Sequence, residues 1–151
     1  MPSVIALLFI ALLTALGCST SVSSPTAGTV RPTSEPQRRT VAIDGVTLSI
    51  LEAGTGAPVI YVHGVVTTSN IFPKYLAAYS PDYRGIAVDL RGYGDSEKPS
   101  GGFTIKQFGK DLIALADRLG IQKPVWVGVS MGGMILQQLA LDYPDRVRAL
   151  V

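Results

Sequence analysis

The chain has 151 residues, of which 47% are hydrophobic and 16% charged, with a formal net charge of +2 at pH 7. This balance suits one globular domain with a buried core and excludes a disordered chain. The small charge, with no basic run, excludes a nucleic-acid partner; one histidine and one cysteine are too few for a metal site or an internal disulfide, and no cofactor is expected.

No Asp, Glu, Lys or Arg occurs before Arg31. Residues 4–16 (VIALLFIALLTAL) form a 13-residue apolar run. A spanning helix needs roughly 20 residues, so this length fits a secretory signal instead. The run ends in Ala15-Leu16-Gly17-Cys18, which resembles the lipobox of bacterial lipoproteins. It departs from that pattern in carrying Ala15 where Leu is commoner and in having no Lys or Arg ahead of the run. The resemblance implies that Cys18 is lipidated after cleavage, with the membrane as a partner and the bacterial cell envelope as the location. The alternatives are a plain signal peptide, giving a secreted form, or an uncleaved anchor, with Cys18 incidental. Residues 19–37 are rich in Ser, Thr and Pro, lack apolar periodicity, and read as a tether. The expected organisation is a signal over 1–18, a tether over 19–37 and a folded domain over 38–151.

The domain opens with two alternating runs, 40–43 and 46–51, around Asp44-Gly45, a strong hairpin signal. Residues 59–62 and 85–88 are continuous apolar runs, as expected for strands buried on both faces. A modest helix is expected over 71–79. A clearer one follows Thr104, which has capping-box spacing to Gln107, and stops at Gly120. Residues 125–129 form another buried strand. A helix over 131–143 ends at Pro144, and 147–151 begin a further strand. Strand and helix alternate, which predicts an α/β fold with a mostly parallel, doubly wound sheet. The chain is expected to stop within the sixth strand of that sheet, leaving an open edge.

Ligands of such sheets bind beyond the carboxyl ends of the strands. Three stretches fall there: His63-Gly64-Val65, Asp89 to Ser96, and Gly128-Val129-Ser130-Met131-Gly132. The last is a G-x-S-x-G pattern between a strand and a helix. A turn that sharp strains the serine and requires small residues two positions before and after it, here Gly128 and Gly132. It also puts Ser130 at a helix N-terminus, where backbone N–H groups and the helix dipole favour a developing anion.

These three motifs, with 58–64 leading into the first and 139–147 following the last, resemble the N-terminal part of an α/β-hydrolase, over roughly residues 40–151. The resemblance implies that Ser130 is a nucleophile and that the N–H groups of Met131 and Val65 form an oxyanion hole. His63 and Gly64 would shape the oxyanion loop. Serine, where related dehalogenases carry aspartate, points to acyl transfer on a small ester or related carbonyl substrate. In this family the acid and histidine follow the nucleophile, and no suitable pair follows Ser130. Asp89 and Asp95 belong to a structural rim loop, and Asp142 and Asp145 lie at the far end of the next helix. The expectation is therefore an exported serine hydrolase whose 151 residues lack the acid and the base and are inactive alone. Two alternatives are a non-catalytic, membrane-tethered binding protein on the same fold and an enzyme using His63 as an unusual base.

Overall fold

The computed structural model describes residues 34–151. The signal, Cys18 and the tether up to residue 33 lie outside the described residues. Gln37 already pairs with Glu52 in a strand, and Ser34 N–H donates to Ser80 Oγ at 2.8 Å. Composition reads side chains, whereas strand pairing uses the backbone and accepts these polar residues.

The elements are β1 (Gln37–Ile43), β2 (Val46–Ala53), β3 (Ala57–Val62), α1 (Pro73–Tyr79), β4 (Tyr83–Val88), α2 (Ile105–Arg118), β5 (Val125–Gly128), α3 (Met131–Asp142) and β6 (Ala149–Leu150). Short 3₁₀ turns precede α1 at Ser69–Ile71 and follow α3 at Pro144–Arg146. The sheet order is β1-β2-β4-β3-β5-β6. Its first two junctions are antiparallel and the rest parallel. Asp44 and Gly45 form the hairpin turn, where Gly45 takes φ +80, a value that glycine accepts without a steric cost.

Alternate residues of each strand enter opposite faces of the sheet. Ile50, Ile60, Val62, Ile86, Val88 and Trp126 pack with residues of α2 and α3 in one core. Leu51, Val59, Tyr61 and Ala87 pack with Phe72 and Leu76 on the other face, where α1 lies against β4 and β2. The helix α2 begins as its sequence predicts, with Thr104 Oγ1 accepting the Gln107 N–H at 3.1 Å. The reciprocal half of the capping box is not made, because Gln107 Nε2 donates instead to Asp111 Oδ1 at 2.9 Å. It ends in a Schellman pattern, with Ile121 N–H on Ala116 O and Gly120 N–H on Asp117 O. The last strand is short, but parallel bonding continues on both sides of it: Arg148 N–H reaches Pro124 O, and Gly128 N–H reaches Val151 O.

Candidate active site

The strand β5 stops at Gly128 and α3 starts at Met131, so Val129 and Ser130 make the whole connection. Gly132 N–H donates to Val129 O at 2.9 Å, which closes a four-residue turn with Ser130 at its second position. Ser130 has φ 54 and ψ −117. Those angles belong to the first central residue of a type II′ turn, a place that favours glycine. A serine held there costs on the order of 1–3 kcal/mol. Its side chain makes no capping hydrogen bond to α3, so Oγ is not spent on the helix terminus.

Close approach explains both flanking glycines. A Cβ on Gly128 would lie 2.7 Å from Gly133 N and 2.8 Å from Leu136 Cδ1. A Cβ on Gly132 would collide with Val62 O and lie 2.9 Å from His63 O. The start of α3 is thereby pressed against the exit of β3. Gly64 completes the contact, since a Cβ there would lie 3.1 Å from Ser130 Cβ and 3.6 Å from Ser130 Oγ. The backbone after β3 thus faces the serine directly, followed at once by Val65 and Val66, which are 51% and 91% exposed.

His63 is fully buried. Its Nε2 accepts the Leu90 N–H at 3.1 Å, and its Nδ1 lies 2.7 Å from Gly64 O. An amide N–H can only donate, so Nε2 must hold the lone pair and Nδ1 the proton, which goes to Gly64 O. Burial pushes the ring below its ordinary pKa, against the opposing pull of the Gly64 carbonyl and the Asp89 charge. Both nitrogens are engaged, which leaves neither for a proton on Ser130.

Asp89 is buried and committed as well. Its Oδ1 accepts the Ser69 N–H at 2.6 Å, and its Oδ2 takes the Asp95 N–H at 3.0 Å and Arg38 Nη1 at 2.9 Å. Burial by itself would raise its pKa, but these hydrogen bonds and the guanidinium together bring it below the ordinary carboxylate value. Asp95 is largely exposed and lies 3.3 Å from the same guanidinium. Asp142 accepts from Gln138 Nε2 at the end of α3 remote from Ser130. The rim loop is tied to α2 by Arg91, which forms a buried two-pronged pair with Asp111.

Arg38, Ser69, Val66 and the Arg91–Asp111 pair escape sequence reading. Arg38 and Asp89 are 51 positions apart, and no spacing rule links them. Only the Arg38-Arg39 doublet on a strand otherwise free of charge hints that one of them has a task. A cavity of about 520 Å³ beside Asp44 and Asp117 contains none of the candidate residues. An apolar groove of about 390 Å³, lined by Tyr61, Ile71, Phe72, Tyr75, Val127 and Val129, opens beside the strand that leads to Ser130.

Comparison with known proteins gives a consistent family. Residues 57–151 match the family described as alpha/beta hydrolase fold. The chain is 34% identical over 113 residues to the 2-(acetamidomethylene)succinate hydrolase of Mesorhizobium japonicum, covering 75% of this chain and 41% of that protein. It is 34% identical over 118 residues to epoxide hydrolase 2 of Siraitia grosvenorii, covering 76% of this chain and 37% of that one. The crystal structure of an epoxide hydrolase from Vigna radiata superposes with a TM-score of 0.74 at 33% identity, over 77% of this chain and 39% of that structure. The chain therefore spans about two-fifths of the length of the relatives it matches.

Proposed function

Because the chain belongs to the α/β-hydrolase fold family, we propose that it is the nucleophile-bearing part of a serine hydrolase acting on a small ester or related carbonyl substrate. The observation that carries this reading is the strained II′ corner that holds Ser130 at the start of α3, with the Gly64 backbone opposite. Ser130 Oγ attacks the carbonyl carbon as a base removes its proton. Met131 N–H, which as the first helical residue has no intrahelical acceptor, and Val65 N–H hold the resulting oxyanion. Collapse of the tetrahedral intermediate expels the alcohol and leaves an acyl ester on Ser130, which water then cleaves.

Two relatives bear the name epoxide hydrolase, but the nucleophile favours carbonyl chemistry. A serine oxygen that opened an epoxide would leave an ether on the protein, which water does not cleave. An acyl group leaves an ester, which water does. The base is not His63, whose ring nitrogens are committed to Leu90 and Gly64, and His63 is the one histidine of the sequence. No histidine follows Ser130 in the sequence.

The test is covalent labelling of protein translated from the whole reading frame. A fluorophosphonate should give one adduct, mapped by peptide mass to Ser130, and none in Ser130→Ala. Hydrolysis of p-nitrophenyl acetate should fall by about 10³-fold or more in the same variant. An adduct elsewhere, or turnover of an epoxide that depends on Ser130, would overturn the assignment. Absence of any adduct, with a ligand still bound, would favour the non-catalytic reading. Export through lipidated Cys18 is proposed alongside: palmitate incorporation that disappears in Cys18→Ala is the expected result, and incorporation that persists refutes it.

A further inference from the structure

The segment 63–69 carries the Val65 donor, and two consecutive residues beyond β4 hold both its ends. Leu90 N–H donates to His63 Nε2 at 3.1 Å, and Asp89 Oδ1 accepts the Ser69 N–H at 2.6 Å. Between these anchors Val66 has φ 55 while 91% exposed. A β-branched residue in that region is strained, and an exposed side chain gains no packing to offset it. Within the loop Thr67 Oγ1 donates to Gly64 O at 3.0 Å, and its two ends are held from the exit of β4. The C-terminal anchor is the carboxylate of Asp89, whose other oxygen accepts the Asp95 N–H and Arg38 Nη1.

Arg38 lies on β1, outside the residues that match the family. Its Nη1 reaches Asp89 Oδ2 at 2.9 Å and Ser49 Oγ at 2.8 Å. Its Nη2 reaches Asn70 Oδ1 at 2.6 Å and Ser69 Oγ at 3.3 Å. One planar group therefore touches both the carboxylate and the two residues that end the loop. A guanidinium does this because its donors diverge in a fixed fork, whereas an ammonium is a single point charge.

We propose that Arg38 is a positioning residue for the candidate active site, fixing Asp89 against the Ser69-Asn70 turn and thereby holding the loop that presents Val65 N–H beside Ser130. The consequence for reactivity rests on the serine-hydrolase reading; the holding of the loop does not. Arg39 is the natural control. It sits on the same strand but pairs with Glu52, away from the loop.

Hydrogen exchange on the full chain separates local positioning from general stapling of the hairpin. In Arg38→Ala and Arg38→Lys, the Ser69 amide that Asp89 holds should exchange about tenfold faster or more, while core amides such as Ile86 and Trp126 stay within about twofold. Low millimolar methylguanidinium should restore protection in Arg38→Ala, and Arg39→Ala should leave the loop unchanged. The labelling rate of Ser130 should fall about tenfold in Arg38→Ala and recover with methylguanidinium. Uniformly faster exchange across the sheet, or none in the loop, overturns the proposal. So does a local loosening that leaves labelling of Ser130 at the wild-type rate. If wild-type Ser130 does not label at all, the hydrolase reading fails, while the exchange data still decide whether Arg38 holds the loop.

Discussion

The imidazole of His63 and the backbone N–H of Leu90 form a single unit, joined at 3.1 Å through Nε2. That bond makes His63 a neutral structural ring, with its proton on Nδ1 and directed at Gly64 O. It also links the exit of β3, the strand beside the one that leads to Ser130, to the exit of β4.

Acid should therefore loosen the site before it unfolds the carboxylate network. The folded ring has a depressed pKa, so the unfolded chain binds the proton more readily and stability rises with pH through that window. The His63 contribution is complete above its ordinary value of 6.5 and is lost as pH falls below it. Asp89 makes a second contribution, complete above 3.8 and lost as pH falls through its own depressed folded value. Urea unfolding across this range should show a decline beginning near pH 6.5 that disappears in His63→Ala. That variant should also lose about 1–3 kcal/mol at pH 8, because the buried Leu90 N–H is left unpaired. A decline that survives the substitution would assign the titration to another group.

Close packing at the elbow predicts a sharp contrast between two glycines. Gly132→Ala drives a methyl into the Val62 carbonyl and should cost about 1–3 kcal/mol or more. Gly101→Ala meets nothing within 4 Å and should change stability by less than about 0.5 kcal/mol. Equal melting temperatures for the two variants would contradict the packing described.

Backbone strain at Ser130 is measurable without any substrate. Ser130→Gly should be more stable than Ser130→Ala by about 1–3 kcal/mol, because both remove Oγ but only glycine relieves φ 54. Chemical denaturation of the two variants side by side checks this. A more stable alanine variant would mean that the corner relaxes without strain.

The Arg91–Asp111 pair should matter more than the exposed pairs. Both side chains are nearly buried, so Asp111→Ala leaves a guanidinium without its partner and should cost about 3–5 kcal/mol. Asp117→Ala, at an exposed pair with Arg146, should cost less than about 1 kcal/mol. Comparable urea midpoints for these two variants would refute the difference.

Much of the fold is legible in the chain order of residues. Period-two apolar runs, the Asp44-Gly45 turn, the Thr104 cap and the Pro144 stop are local signals, and each falls at or within a few residues of its element. The small residues around Ser130 are legible too, because the steric demands of a strand-to-helix corner act within five positions. The start of β1 at Gln37 is less legible, because strand pairing is a backbone property that composition does not register. The unmade half of the capping box has a different cause: Gln107 found a carboxylate one turn further along the helix.

Sequence by itself determined the alternation of elements and the place of the candidate nucleophile, since both depend on residues close together along the chain. Only the tertiary structure decided what His63, Asp89 and Arg38 do. Their partners lie 27, 20 and 51 positions away, and burial together with hydrogen-bond geometry, rather than spacing, selects them. The same holds for the loop carrying Val65: its strained shape at Val66 belongs to the anchors at its ends, which come together only when β1, β3 and β4 share one sheet.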